Sequence, residues 1–203
     1  MSTMLAVTAP IPGPPENLVL SSNIARPVLG PSDAHLIILR AVVTAVNRAD
    51  LLERKGLYPP PPGTNGVLGL EAAGEVIEIG SAVPSSLKIG DRVMALLSGG
   101  GYAEYVKVPA SHVMKIPDGM GWEDAGAIPE VWLTAFQLVH VVGRMRAGDV
   151  VLVHAGSSGV GTAATQIISQ FGGKSIVTAG SDDKLQLCKL LSADHLINYK
   201  TEE

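Results

Sequence analysis

The sequence predicts an α/β chain in two parts: a mainly β domain over residues 4–121, then the first half of a doubly wound parallel sheet over 122–203. Three observations carry that reading. Short β-like runs separated by proline- and glycine-rich turns fill the first part. At Trp122 the pattern changes to helix-forming stretches. Beyond them an apolar run, Val150 to Val153, meets glycines at 156, 159 and 161, and Thr162 to Phe171 follows with few helix breakers.

Composition bounds the rest. At 203 residues the chain holds one large or two small domains. Hydrophobic residues make up 46% but aromatics only 4%, so the core must be built of Val, Leu, Ile and Ala. A net charge of -4 without any Lys/Arg cluster gives no support for binding nucleic acid or an anionic membrane. The one cysteine, Cys188, rules out disulfides and Cys-rich zinc sites within one chain and suits a reducing compartment; it reads as a small core residue. Met1-Ser2-Thr3-Met4 opens no secretory signal, and no apolar run nears the roughly 18 residues that span a bilayer. The expectation is a soluble, cytoplasmic protein.

Met4 to Val7 reads as an opening strand and Leu18 to Leu20 as its return, with a proline- and glycine-rich turn between. His35 to Val46 is strongly β-like, with Arg40 placed on its wetter face. Asn47 to Lys55 is helical in composition, and Pro59 to Pro62 exclude regular structure because proline donates no backbone hydrogen bond. Strands follow over 68–80, Val93 to Leu97, Tyr102 to Val108 and Val113 to Ile116. Glu123 to Val142 is helical with a break near Pro129, and Trp132, Leu133, Phe136, Leu138 and Val139 form its expected buried set. Val150 to Val153 is expected to be buried on both faces. Ser175 to Ala179 is the next strand, Asp182 to Leu191 a helix, and His195 to Asn198 a third strand.

Strand, glycine turn and helix in that order make a dinucleotide cradle: glycines admit the pyrophosphate, and N–H groups at the helix start point at it. The spacing here is G-x-x-G-x-G, over Gly156, Ser157, Ser158, Gly159, Val160 and Gly161. The end of the second strand then selects the cofactor. An NAD site carries an acid there for the ribose 2′-hydroxyl. This chain has Gly180 and Ser181, while Asp182 and Asp183 read as helix-start residues. The two small residues leave room for a 2′-phosphate that Lys184 could neutralise, which favours NADPH; alternatively Lys184 is a solvated helix lysine. His154, just before the cradle, reads as packed or hydrogen-bonded. Only three strands of an expected six are present, so truncation of a longer protein is the expected explanation.

Several segments together resemble the medium-chain dehydrogenase/reductase superfamily on its zinc-free quinone oxidoreductase (zeta-crystallin-like) branch, especially the NADPH-dependent members of the tumour-suppressor-inducible kind. They are Asn47-Arg48-Ala49-Asp50-Leu51, Gly56-Leu57-Tyr58-Pro59-Pro60-Pro61, Leu68-Gly69-Leu70-Glu71-Ala72-Ala73-Gly74, Ile89-Gly90-Asp91-Arg92-Val93, Ile128-Pro129-Glu130-Val131-Trp132-Leu133-Thr134-Ala135, and the cradle. The resemblance implies a GroES-like domain followed by a Rossmann domain, incomplete here. It implies homodimer pairing for the full-length form, through edge strands this chain lacks.

Zinc-bearing relatives place Cys and His where this chain has Asn47 and Leu70, so no metal is expected. Without a Lewis acid, hydride transfer requires an acceptor that is already electrophilic, a quinone or a conjugated carbonyl. By resemblance, Asn47, Asp50 and Tyr58 belong to the acceptor cleft, with Tyr58 donating to a developing oxyanion. Thr134 lies near the nicotinamide, and Lys184 and Tyr199 take the 2′-phosphate. The residues alone leave alternatives: a helix cap for Asn47 and Asp50, a loop aromatic on prolines for Tyr58, a polar site neighbour or solvent-facing residue for Glu130. The expected function is an NADPH:quinone oxidoreductase; the alternatives are a truncated non-catalytic form and an enone or enoyl reductase.

Overall fold

The computed structural model describes residues 2–61, 64 and 66–202; Pro62 of the polyproline run and the terminal Glu203 lie outside the described residues. The chain divides into two compact units, residues 1–130 and 131–203. Among the described residues no helix is long and apolar enough to cross a membrane.

The first unit opens with an antiparallel pair, β1 (Thr3–Thr8) and β2 (Val19–Ala25). Its main sheet has five antiparallel strands in the order β6-β3-β4-β5-β7: β3 is Leu36–Val43, β4 Glu71–Ile79, β5 Arg92–Leu96, β6 Tyr105–Pro109 and β7 Val113–Lys115. The return strand therefore runs on to Ala25, β1 is longer by one residue at each end, and the ends of the other strands shift by one to three residues. Ile37 and Leu39 of β3 pack with Val76, Val93, Val106 and Val108. Ile38 points to the other face and is equally buried. Arg40 leaves this apolar run for the surface, where it pairs with Glu75 directly across on β4 at 2.6 Å.

Three short helices complete or leave this unit: α1 (Arg48–Arg54), α2 (Trp122–Gly126) and α3 (Pro129–Phe136). The break expected near Pro129 separates α2 from α3, and Pro129 itself opens α3, because its missing N–H and fixed φ suit the first helical turn. Ala125 is buried with Ala73, Met94 and Ile116, and Trp122 and Ile128 pack on that cluster. This apolar contact holds residues 122–130 to the first unit.

In the second unit, α3 runs into a π-helical segment, Gln137–Val142, and three parallel strands follow in the order β10-β9-β8. These are β8 (Val150–Val153), β9 (Lys174–Ala179) and β10 (His195–Asn198), connected by α4 (Gly159–Gln170) and α5 (Asp182–Leu190). Ala135, Val139, Ala163, Ala164, Ile167 and Ile168 form the core, with Val151 and Val153 packed on it.

Two expectations are corrected here. Strand β8 is covered on one face only: Val150 and Leu152 are 60% and 54% exposed. It is the sheet edge, and α4 covers the face that carries Val151 and Val153. Of the expected helical set only Val139 is fully buried, while Leu133, Phe136 and Leu138 are exposed and Trp132 is half-buried. The inward positions, Ala135 and Val139, lie four residues apart on one helical face, and at the end of the stretch the Gly143 N–H donates to Leu138 O across five residues, the π-helical spacing. His140 of that segment sits between Phe136 and Phe171, with ring centroids 4.9 and 4.3 Å away.

Candidate functional site

Each unit carries one polar constellation. In the first, β3 ends and the chain turns at Asn47 into α1. The Asp50 carboxylate accepts from the Asn47 N–H at 2.7 Å, which caps the helix from within its first turn. The same Asp50 oxygen accepts from the Tyr102 hydroxyl at 2.7 Å. The Asn47 side-chain amide donates to Glu71 Oε1 at 2.7 Å, and the other Glu71 oxygen accepts from the Glu130 N–H at 2.9 Å. Glu71, Asp50 and Asn47 are 1%, 3% and 7% exposed.

Four carboxylates so close together with little water shape one another. Burial raises Glu71 above its ordinary range, against the lowering by its Asn47 and Glu130 donors. Burial, then repulsion from Glu71 and Asp50, raises Glu130; burial and Asp50 raise Glu53. The Tyr102 phenol is pushed far above its usual range by burial and then by its hydrogen bond to Asp50. Asp50 Oδ1 and Arg54 Nε, one helical turn apart, are buried without a protein partner among the described residues. Tyr58 lies apart from this network, 44% exposed on its loop.

In the second unit, β8 ends at Val153 and the chain passes through His154 and Ala155, the latter at φ 52°, into the glycine turn. His154 Nδ1 lies 3.1 Å from Thr178 Oγ1, a packed and hydrogen-bonded position. A methyl group on Gly156 would sit 1.9 Å from Val177 Cγ1, so only glycine lets the turn lie against β9. Ser158 caps α4: its hydroxyl accepts from the Gly161 N–H at 3.1 Å and its carbonyl from Thr162 at 2.8 Å. Among the described residues the N–H groups of Gly159 and Val160 are left without a protein partner at the helix start. Two free donors at the positive end of a twelve-residue helix fit the pyrophosphate of a dinucleotide.

At the end of β9, Ala179 gives way to Gly180 and Ser181, and α5 begins at Asp182. Asp182 Oδ1 accepts from the Asn198 side chain at 2.7 Å. Its carboxylate is fastened to β10. A methyl on Gly180 would meet the Tyr199 hydroxyl oxygen at 2.5 Å, so Tyr199 lies across that glycine. Lys184 stands exposed in the first turn of α5. Thr134 is half-buried on α3. Cys188 is buried on the inner face of α5, and burial raises its thiol.

Residues 33–118 match the alcohol dehydrogenase GroES-like domain family. Over 183 residues, 88% of this chain, the sequence is 36% identical to the synaptic vesicle membrane protein VAT-1 homolog of Rattus norvegicus. The quinone oxidoreductase from Coxiella burnetii superposes with a TM-score of 0.88 at 30% identity over the whole chain and 64% of that protein. The mycobacterial protein Rv1454c, complexed with NADPH, does so at 0.86 and 32%, over 98% of this chain and 60% of that one. The chain belongs to the medium-chain dehydrogenase/reductase superfamily. Within this family of oxidoreductases it lies on the quinone oxidoreductase-like branch, and it is also similar to enoyl reductases such as CurK (26% identity, TM-score 0.84, over 98% of this chain and 60% of that one). The chain spans 44% of the VAT-1 relative's length.

Among the described residues no group of three or more His, Cys, Asp and Glu side chains is placed to hold a metal ion. Of the two readings of Asn47 and Asp50, acceptor cleft and helix cap, the structure shows the cap. Sequence reasoning missed Glu71 and Tyr102, to which they bond, and Asn198, which fastens Asp182. One signal was present, an asparagine at the end of an apolar strand; Glu71 is bonded to residues far away in sequence and carries none.

Proposed function

We propose that this chain is the cofactor-binding and acceptor-binding part of an NADPH-dependent oxidoreductase that passes hydride to a quinone or similar electrophilic acceptor without zinc. The observation that carries the cofactor choice is the end of β9. The place where an NAD site presents an acid holds Gly180 and Ser181, and the next acid, Asp182, is already bonded to Asn198. The NADPH bound in the mycobacterial relative supports the same choice.

In this reading residues 156–161 hold the pyrophosphate through the free Gly159 and Val160 N–H groups. Gly180, Ser181, Lys184 and Tyr199 receive the 2′-phosphate. NADPH supplies the hydride when bound, and Thr134 is assigned to the nicotinamide end. Tyr58, exposed, is assigned as donor to the acceptor oxygen. Asn47 and Asp50 are assigned to the acceptor end. Their mutual cap and their bonds to Glu71 and Tyr102 hold both in fixed rotamers, which is what positioning a small acceptor requires.

A second reading, reduction of a conjugated carbonyl, is favoured by the enoyl reductase likeness and by a 42% identity over 122 residues, 60% of this chain and 5% of that protein, to squalestatin tetraketide synthase of Phoma sp. (strain C2932). A thermal-shift titration of the 203-residue chain with NADPH and NADH tests the cofactor reading. At a hundredfold excess over Kd a bound cofactor adds about 2.7 kcal/mol. A rise in Tm with NADPH and little with NADH is expected; no rise with either overturns it. NADPH consumption with a quinone against an enone then separates the two acceptors. Binding with no turnover on either marks a non-catalytic form.

A further inference from the structure

We propose that Lys200 is a second cation for the 2′-phosphate and a determinant of preference for phosphorylated over unphosphorylated cofactor. The inference rests on the NADPH reading above and adds to it a residue outside the strand-end and helix-start positions.

Parallel pairing of β10 with β9 sets Asn198 opposite Ala179, so the next residues of β10 arrive level with Gly180 and Ser181. The Tyr199 N–H donates to Ala179 O at 3.3 Å, which continues the ladder one step past the strand. A methyl on Gly180 would lie 2.5 Å from the Tyr199 hydroxyl oxygen and 3.3 Å from Lys200 Cε. Both side chains therefore border the bare Cα of Gly180, the place argued to receive the phosphate.

The Lys200 backbone is held by a buried asparagine. Its N–H donates to Asn198 Oδ1 at 3.2 Å, and the N–H groups of Thr201 and Glu202 donate to Asn198 O at 3.0 and 2.9 Å. The Asn198 amide is meanwhile bonded to Asp182 at the start of α5. One side chain thus ties the Lys200 turn to the helix that carries Lys184. The neighbouring acids Asp182 and Glu202 are occupied, by the Asn198 side chain and the Asn198 N–H respectively, and Asp183 is exposed. Neither Lys184 nor Lys200 makes an ion pair among the described residues. Two ammonium groups without an ion-pair partner, that of Lys200 bordering Gly180 and that of Lys184 in the first turn of α5, match the several acceptor oxygens of a phosphate monoester.

Calorimetric titration of the 203-residue chain with adenosine 2′,5′-bisphosphate and with adenosine 5′-monophosphate tests this without turnover. Wild type should prefer the bisphosphate. Lys200→Ala should weaken the bisphosphate by about ten- to a hundredfold, the range of a hydrogen bond to a charged group, and leave the monophosphate unchanged. Lys200→Arg should retain most of the preference, and Lys174→Ala, a surface change at the other end of β9, all of it. An unchanged bisphosphate affinity in Lys200→Ala, with a loss in Lys184→Ala, overturns the role of Lys200 while the NADPH reading stands. Equal losses for both nucleotides overturn it as well. A wild type with no preference overturns the NADPH reading and Lys200 with it.

Discussion

Gly156 shows how much one hydrogen atom decides. The turn after β8 lies against β9 so closely that Val177 occupies the space of a side chain. Gly156→Ala should cost about 1–3 kcal/mol, the range of an overpacked site, read as a lowered urea midpoint. Val177→Ala in the same chain should restore part of it, because the clash partner is removed. A double variant no more stable than Gly156→Ala alone would show that the cost lies elsewhere, in the backbone. The buried glutamate teaches the opposite lesson. Glu71 has no local mark of its role, since its partners Asn47 and Glu130 lie 24 and 59 residues away in sequence. Period and composition see only neighbours along the chain, so a carboxylate at the head of an apolar strand reads as its wet face. Asp50, three residues from Asn47, was legible for the converse reason: a capping pair is local.

Strands and helices were legible wherever their pattern was local and two-sided. The bounds of β10 match the sequence reading, and α5 differs by one residue. Strand β8 was legible as a strand but not in its burial, because Val150-Val151-Leu152-Val153 has no alternation to tell a covered face from a bare one. That difference has a measurable consequence. Leu152→Lys should change stability by no more than about 0.5 kcal/mol, since its side chain already meets water. Val151→Lys, one residue away on the α4 side, should cost several times more by placing an ammonium in the core. Equal effects in chemical denaturation would contradict the assignment of faces. The π-helical segment is the other illegible element. Val139 lies inside and Leu138 outside in a stretch whose apolar composition alone gives both as buried.

Across the whole molecule the titrating carboxylates pull in two directions. Asp33 and Asp91 are lowered below their ordinary 3.8, Asp33 by the Gly30 N–H and Lys107 and Asp91 by Lys115 and the Lys88 N–H. A lowered group binds fewer protons folded than unfolded, so its contribution is present above 3.8 and lost as pH falls through the folded value. Glu71, Glu130 and Glu53 are raised above 4.5, chiefly by burial. Folded, they bind more protons, so stability declines as pH rises from 4.5 to their folded values. Urea midpoints should climb with pH in the acid limb and then fall, and Glu71→Gln should flatten the fall. The same downward slope in Glu71→Gln would exclude Glu71 as its source.

The hydrogen bond from Tyr102 to Asp50 makes one of the chain's four tyrosines an optical witness to its own fold. In strong base a phenol in water surrenders its proton and changes its ultraviolet absorbance, but Tyr102 stays protonated while Asp50 holds it and water is kept away. Its colour change is expected to follow the opening of that part of the molecule. Alkaline denaturation of the first unit therefore announces itself from inside, with no dye or label attached.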